Sequence, residues 1–355
     1  MPTGKVSKFI ETSLIFFILI SSFIPGFSDP AFGDATILIY HRFGESEYPT
    51  TNVDTDKFKE QMAYLAERQY TVLPLQAVVR ALQDGKALPD KSVVITIDDG
   101  FRSVYAVAWP ILKSYGYPFT VFLYTEAIEK EYRNYMTWTQ IREMRDAGVD
   151  FQDHGYTHDH FGSMQPGMDE KAYRQWIHSD FATSVRIFEE QLGHRPKVMS
   201  YPYGEYNYTI IEEIKKIGYE AAFSQDPGNA GEYTDMFYIP REPILGEDWS
   251  TIKHFNMILN RVDLPVEQLE PDIKPLTDAT PARFSGRLLY PERYLPNSLS
   301  IYVSELGWLK PCLSGNILAV DNATRLQRRI NRVLISGKEK DTGKTAVRYW
   351  LLISP

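Results

Sequence analysis

The chain has 355 residues, a length that predicts about two domains. Hydrophobic residues make up 43% of it, as in ordinary globular proteins, which excludes wholesale disorder. The net charge of -8 argues against nucleic acid as a partner, because phosphate binding needs a basic surface. A local basic run at residues 325–332 (RLQRRINR) is interpreted as a solvated strand edge, with contact to an anionic polymer as the alternative.

The beginning of the chain differs in character from the rest. Two lysines precede an apolar stretch at residues 13–24 (SLIFFILISSFI), which is too short to span a bilayer comfortably. Small and helix-breaking residues follow it, as in signal peptides. Residues 1–35 are therefore predicted to be a secretory signal cleaved near Ser28 or Ala35, with an uncleaved N-terminal anchor as the alternative. Either form implies an exported protein, periplasmic or extracellular.

From residue 36 to about 265, short apolar strands alternate with amphipathic helices, which is the pattern of parallel βα units. Helices are predicted at residues 56–68 and 171–192. The number of alternations suits either a barrel or a doubly wound sheet. The predicted strands lie at residues 36–40, 93–97, 119–124, 149–152, 197–201 and 220–224.

The pattern changes after Pro265. Residues 266–282 are rich in Pro, Asp and Thr and predict a linker. Residues 283–355 contain apolar runs of period two, separated by turn residues, and predict a small all-β, sandwich-like accessory domain. These runs lie at residues 283–290, 299–305, 317–321, 331–336 and 346–353.

Residues whose side chains can bind metal or transfer protons follow the predicted strands of the first domain. His41 follows the first strand, Asp98 and Asp99 the second, His154 the fourth, and residues 201–204 (YPYG) the fifth. In a parallel α/β barrel these strand ends lie on one face, where active sites are found. The sequence therefore predicts that residues far apart along the chain meet in one site.

Two of the histidines have the spacing of metal ligands. His154 and His158 are four residues apart, which places both imidazoles on one side of a helical turn or a tight loop. One carboxylate would complete the three protein ligands of an open catalytic zinc site. The alternative is a pair of loop histidines without a metal, and the two acids at another strand end argue against it. His160 is interpreted as a rim residue. The histidines interpreted as structural or surface residues are His178, His194 and His254.

Three strings resemble the first three motifs of the polysaccharide deacetylases, the NodB-homology domain of carbohydrate esterase family 4. They are TIDDG at residues 96–100, HGYTH at residues 154–158 and SYPYG at residues 200–204. The resemblance covers about residues 36–260 and leaves out the β-rich tail. It implies a distorted (β/α) barrel and metal-dependent removal of N-acetyl groups from a sugar polymer.

The resemblance also implies roles for the strand-end residues. Asp99, His154 and His158 resemble the ligands of a divalent metal, with Zn2+ favoured and Co2+, Ni2+ or Fe2+ as alternatives. Asp98 resembles the general base that takes a proton from the attacking water. A backbone N–H near Tyr203 would then help to stabilise the oxyanion.

The sequence departs from the family at two positions. The sequence has no clear counterpart of the late Leu-x-His motif that supplies the general acid, because the residues around His254 match that motif poorly. The segment ILIYHRF resembles instead a subgroup, typified by poly-β-1,6-N-acetylglucosamine deacetylases, in which the first strand supplies the acid. His41 is therefore predicted to be the acid, with a structural histidine as the alternative.

The third motif also lacks the arginine that pairs with the catalytic aspartate in most relatives. A buried carboxylate next to a second one has its pKa raised unless a cation offsets the repulsion. Arg241, in YIPREP, is the predicted replacement, and a surface Arg-Glu pair is the alternative.

The leading hypothesis is an exported N-deacetylase acting on an N-acetylhexosamine polymer, with an exopolysaccharide like poly-N-acetylglucosamine favoured. Tyr156 and Tyr206 are the predicted substrate-binding residues, because aromatic rings near the motifs could stack on sugars. The alternatives are a peptidoglycan N-acetylglucosamine deacetylase and a non-catalytic carbohydrate-binding protein. The β domain is predicted to bind the polymer or a protein partner of the envelope or the exopolysaccharide machinery. In a third alternative, the β domain is the functional part and the barrel serves as its scaffold.

Overall fold

The computed structural model describes residues 1, 4 and 33–355, so most of the predicted signal peptide or anchor lies outside the described residues. Ala35, the last residue of that prediction, is the first residue of a strand and is completely buried. Within residues 1, 4 and 33–355, no helix is long and apolar enough to cross a membrane.

The helices are amphipathic and bury one face each. In the first of them the buried residues include Phe58, Met62 and Leu65, which are spaced to share one face. The helices are α1 (Thr55–Glu67), α2 (Leu75–Asp84), α3 (Trp109–Tyr115), α4 (Thr125–Glu129), α5 (Trp138–Asp146), α6 (Glu170–Leu192), α7 (Tyr208–Ile217) and α8 (Ile252–Leu259).

Residues 35–243 supply the nine strands of a mainly parallel sheet. Six strands run parallel in the order β1-β5-β6-β7-β8-β9, and they correspond to the six predicted strands. The strands up to residue 243 are β1 (Ala35–Tyr40), β2 (Arg42–Phe43), β3 (Asn52–Val53), β4 (Thr71–Val72), β5 (Ser92–Ile97), β6 (Thr120–Leu123), β7 (Asp150–Asp153), β8 (Val198–Ser200), β9 (Ala221–Phe223), β10 (Asn229–Ala230) and β11 (Glu242–Pro243).

One short segment links the two edges of this sheet. Ile239 forms a parallel bridge with Phe223 of β9, and β11, a few residues later, pairs in parallel with β1. The sheet therefore curls so that its first and last parallel strands share residues 239–243 as a common neighbour. Arg241 lies in the middle of this closing segment.

Two further sheets form the C-terminal part. A five-stranded sheet has the order β12-β20-β19-β15-β16, and a four-stranded sheet has the order β13-β14-β18-β17. Their strands are β12 (Arg261–Asp263), β13 (Val266–Glu270), β14 (Arg283–Leu288), β15 (Ser300–Val303), β16 (Gly307–Leu309), β17 (Cys312–Ser314), β18 (Ile317–Asp321), β19 (Ile330–Lys338) and β20 (Thr345–Ile353).

Regular β structure begins earlier than the sequence indicated. Strand β12 pairs with β20, and strand β13, inside the predicted linker at 266–282, pairs with β14 across a register shift. Apolar residues of both sheets pack in one core with residues of the parallel sheet and of α6. The C-terminal part is therefore packed into the same hydrophobic core as the second half of the parallel sheet.

A pair of buried acids joins the start of β1 to the C-terminal sheets. Oδ2 of Asp34 accepts a hydrogen bond of 2.6 Å from the backbone N–H of Asp263. Burial raises the pKa of Asp34 to about 6 and the pKa of Asp263 to about 7. Both carboxyl groups therefore bind protons more tightly in the folded protein than in the unfolded chain.

We expect the melting temperature to fall as pH rises from about 4 to about 7, and Asp34→Asn to reduce that fall. A carboxyl group with a raised pKa contributes stability that is complete below its unfolded pKa and is lost as pH rises through its folded pKa. The effect of Asp34 is at most about 3 kcal/mol, since its pKa is raised by about two units. Thermal melts followed by circular dichroism measure it. Asp341→Asn, at an exposed position, is the control, and equal pH slopes in both variants would contradict the prediction.

Candidate metal centre and active site

The ends of the parallel strands bring the predicted site residues together. Asp98 and Asp99 follow β5, and Nε2 of His154, which follows β7, lies 3.8 Å from Asp98 and 3.3 Å from Asp99. The Tyr203 ring, after β8, has its centroid 4.6 Å from that of His158. The strand-end pattern in the sequence thus corresponds to one cluster in space.

Three potential ligand atoms converge in this cluster. Oδ1 of Asp99 lies 3.3 Å from Nε2 of His154 and 3.3 Å from Nε2 of His158, and the two nitrogens are 3.2 Å apart. A tetrahedral ion at about 2.0–2.1 Å from each ligand holds its ligands about 3.3 Å from one another. The triangle therefore has the dimensions of a zinc-type site.

The hydrogen bonds of His154 indicate which nitrogen faces the cluster. Its Nδ1 lies 2.9 Å from the carbonyl oxygen of Ser200 and 2.7 Å from Oγ of the same residue. Because a carbonyl can only accept whereas a hydroxyl can do either, we infer that Nδ1 carries the proton and that Oγ accepts from it as well. When the ring is neutral, Nε2 directs its lone pair at a carboxylate oxygen of Asp99, which is repulsive unless a positive charge, a proton or a cation, lies between them. Burial alone would lower the pKa of His154, but Asp98 and Asp99 outweigh burial and raise it. The donor set therefore fits a divalent cation.

The two adjacent acids separate because the chain turns directly after the strand, beginning at Asp99. The backbone N–H of Asp98 still donates to Tyr40 in the sheet, at 2.9 Å, whereas Asp99 has a φ of 72° and Gly100 a φ of 80°. A Cβ at Gly100 would lie 2.9 Å from the side chain of Leu123, so the turn requires glycine there. This turn lets both carboxylates serve one site, although successive side chains on a strand point to opposite faces.

Asp98 is held by a buried cation. Both of its carboxylate oxygens accept hydrogen bonds of 2.7 Å from Arg241, and both side chains are completely buried. The same guanidinium donates to the carbonyl of Ser224 at 2.9 Å and to Oγ1 of Thr96 at 3.1 Å. Burial alone would raise the pKa of Asp98, but Arg241 and His154 outweigh it and hold that pKa below its usual value. Asp98 is therefore ionised at neutral pH.

Comparison with known proteins identifies the part of the chain that carries this cluster. Residues 85–222 match the family model described as polysaccharide deacetylase. A poly-beta-1,6-N-acetyl-D-glucosamine N-deacetylase of Escherichia coli (strain K12) is 30% identical over 226 residues, which cover 54% of this chain and 33% of that enzyme. An enzyme of the same name from Staphylococcus epidermidis is 27% identical over 216 residues, which cover 59% of this chain and 73% of that enzyme. Residues 85–222 thus belong to a polysaccharide deacetylase domain.

The deacetylase domain also has the fold of a solved relative. The structure of Streptococcus pyogenes deacetylase PplD in complex with acetate aligns with a TM-score of 0.57 at 24% identity, covering 64% of this chain and 98% of that one. The predicted fold class, a distorted (β/α) barrel of the deacetylase type followed by an all-β part, is confirmed. His41 and Arg241 lie outside the residues that the family model matches.

A tight loop, not a helix, carries His154 and His158, the two candidate histidine ligands. Asp180 of α6 accepts hydrogen bonds from the backbone N–H groups of Tyr156 and Thr157, at 2.9 and 2.8 Å. Gly155 has a φ of 82°, and a Cβ there would lie 3.0 Å from Oδ2 of Asp180. His158 has a φ of 55°. Asp180 thus fixes the loop between the two candidate ligands.

Sequence reasoning missed Asp180 because it lies more than twenty residues beyond the motif. One signal could have found it. Ile177, Asp180, Phe181 and Ser184 are all buried on α6, so a charged residue interrupts the apolar face of an amphipathic helix. A buried charge at such a position needs partners, and here the partners are the backbone amides of the ligand loop.

Aromatic residues at the mouth of the site differ in exposure. Tyr203 is 44% exposed, and its ring stacks on that of His160 at a centroid distance of 3.7 Å. Tyr156 is partly buried and stays a predicted substrate residue. The prediction for Tyr206 is wrong, because this side chain is completely buried and its hydroxyl donates to Asp226 at 2.6 Å. Its ring cannot stack on a sugar.

The two histidines considered for the general acid lie in different surroundings. His41 is 7% exposed, and its Nδ1 has no hydrogen-bond partner among the described residues. Burial lowers the pKa of His41, and the charges of Asp99 and Asp98 oppose that effect. His254, which lies on α8, packs against Trp249 in the preceding turn. Of these two histidines, only His41 lies where the charges of Asp98 and Asp99 affect its pKa.

We expect Asp180→Asn to weaken metal binding about ten- to a hundredfold, because an amide accepts through one oxygen and one loop N–H loses its partner. Titration of the metal-free protein with Zn2+ or Co2+ measures the affinity. Asp146→Asn removes an exposed acid of the same type and should bind metal as the wild type does. Unchanged affinity in Asp180→Asn would show that the loop keeps its shape without this carboxylate.

Proposed function

We propose that this chain is an exported, metal-dependent polysaccharide N-deacetylase, which hydrolyses acetamide groups of an N-acetylhexosamine polymer to amine and acetate. The observation that carries the proposal is the triangle of Asp99, His154 and His158 beside an ionised Asp98. A protein that only binds carbohydrate would not need a carboxylate such as Asp98, which Arg241 keeps ionised and which is not itself one of the three converging ligands.

In this proposal Asp99, His154 and His158 hold a divalent metal, with Zn2+ favoured. When bound, the ion supplies a Lewis acid that lowers the pKa of water towards neutrality and polarises the acetyl carbonyl. Asp98 accepts the proton of the attacking water, and Arg241 keeps it ionised for that step. Arg241 is thus a positioning residue for the base.

Two further groups complete the reaction. The backbone N–H near Tyr203 stabilises the oxyanion, and His41 gives a proton to the leaving amine. A lowered pKa makes the protonated ring of His41 a stronger acid, while Asp98 and Asp99 stabilise its charge. Without this proton the tetrahedral intermediate would return to the substrate.

The names of the relatives support a substrate like poly-β-1,6-N-acetylglucosamine. Both curated enzymes described above carry that polymer in their names, although one of them is matched over 33% of its length. A peptidoglycan N-acetylglucosamine deacetylase is the second candidate within the same chemistry.

Export is proposed from the apolar stretch at residues 13–24, with residues 1–35 as signal or anchor. The division into a deacetylase domain at 36–265 and an accessory β domain at 283–355 is likewise proposed, with β13 occupying part of the linker at 266–282.

We expect the purified protein to release acetate from poly-β-1,6-N-acetylglucosamine faster than from chitooligosaccharide or peptidoglycan. A chelator should abolish the release, and added Zn2+ or Co2+ should restore it, because the ion activates the water. Acetate assays and metal analysis provide the measurements. If no substrate yields acetate from metal-loaded protein, the proposed function fails, and binding without release would favour a carbohydrate-binding protein.

Asp98→Asn and Asp99→Asn separate base from ligand at neighbouring positions. Asp98→Asn should keep the metal and lose about 10²- to 10⁴-fold in kcat, since the amide cannot take a proton. Asp99→Asn should lose both metal and activity. Equal metal loss in the two variants would show that their roles are assigned wrongly.

His41→Ala should lower kcat about 10²-fold or more while metal content stays at the wild-type level, because His41 is not one of the converging ligands. His254→Ala is the matched control and should retain activity. Full activity in His41→Ala, with loss in His254→Ala, would transfer the acid role to the late histidine.

A further inference from the structure

The C-terminal β region reaches the candidate site through Arg329, which lies just before β19. Its guanidinium forms an ion pair with Glu205, the residue directly after YPYG, and its Nη1 lies 3.4 Å from Oγ of Ser163. The backbone carbonyl of Arg329 accepts a hydrogen bond of 2.7 Å from Ser354, which anchors this part of the chain. Arg329 therefore joins the β region to both loops that flank the ligand His158.

Glu205 is a buried carboxylate that depends on its donors. Its side chain is 3% exposed. It lies 2.7 Å from Nδ1 of His160, 3.1 Å from the backbone N of Gly162 and 3.3 Å from Nη1 of Arg329. A charge at such a depth is stable only when charged or polar donors surround it. Arg329 is the arginine among them, and it comes from the β region.

The contacts continue from Glu205 to the metal ligands. The ring of His160, held by Glu205, lies nearly parallel to the ring of Tyr203, at 15° and 3.7 Å. The Tyr203 ring in turn contacts His158, with centroids 4.6 Å apart. Tyr203 has a φ of 57°, a conformation that a residue with a side chain adopts only when its surroundings hold it there. The packed ring of His160 is one such restraint.

We propose that Arg329 is a positioning residue of the deacetylase site. By holding Glu205, it fixes His160, and His160 fixes the ring and backbone of Tyr203 beside the metal ligand. The inference rests on the proposed function, because the Tyr203 backbone is the oxyanion donor there. It assigns to the C-terminal β region a part in the geometry of the site, which a separate polymer-binding module would not have.

The test compares Arg329→Ala with Arg329→Lys and with Arg328→Ala. Arg328 is the neighbouring exposed arginine, and its side chain makes no ion pair within residues 33–355. Arg329→Ala should lower kcat about tenfold with a smaller change in KM, because a misplaced oxyanion donor weakens transition-state binding more than substrate binding. Lysine carries the charge without the bidentate fork, so Arg329→Lys should recover part of the loss. Arg328→Ala should match the wild type, and all three variants should keep their metal.

Hydrogen exchange gives a readout that does not depend on activity. The amide of Gly162 donates to Glu205, so the segment at residues 159–164 should exchange faster in Arg329→Ala than in Arg328→Ala. Equal exchange and equal kcat in these two variants would overturn the inference while leaving the proposed function intact. Loss of fold and metal in both Arg329 variants would also overturn it, since the residue would then be merely structural. An inactive wild type with faster exchange in Arg329→Ala would refute the function but support the coupling.

Discussion

The buried ion pair between Asp98 and Arg241 is the interaction on which the rest of the site depends. Moving two charges out of water costs several kcal/mol per ion, and their attraction often does no more than offset that cost. Apolar residues of similar size would stabilise the fold at least as well. We infer that Arg241 instead keeps Asp98 ionised in a site away from water, where the neighbouring carboxylate of Asp99 would otherwise favour protonation of Asp98.

The fold delivers the cation by closing the sheet. Arg241 stands on the segment 239–243, which neighbours β9 on one side and β1 on the other. Its backbone N–H also donates to the carbonyl of Asp226, at 3.0 Å. The segment that joins the first and last parallel strands therefore places the guanidinium, so the charge state of Asp98 depends on the closure of the sheet.

Much of this arrangement could be predicted from the sequence. The strands were evident because buried parallel strands are continuous apolar runs, and the meeting of Asp98, Asp99 and His154 was predicted because they stand at strand ends. Tyr206 was predicted wrongly, because the string YPYGEYNY contains several tyrosines and nothing local says which of them turns into the core. Strand β13 was hidden because a register shift between Glu267 and Glu270 breaks its period-two pattern. Asp180 and Arg329 act across long separations, which no local pattern records.

The C-terminal region makes polar contacts with the part of the parallel sheet that carries the candidate site. The hydroxyl of Tyr206, two residues after the SYPYG motif, accepts a hydrogen bond of 3.2 Å from the backbone of Leu351 in β20. Asp226, whose carbonyl accepts from Arg241, binds Nε of Arg332 in β19 at 2.9 Å. Tyr206 is completely buried in the hydrophobic core that β20 and α6 share, and Asp226 is also buried, so both acceptors are shielded from water. The C-terminal sheets thus pack against the half of the parallel sheet that carries the third motif and the closing segment. The positions of Tyr206 and Asp226 therefore depend on both parts of the chain.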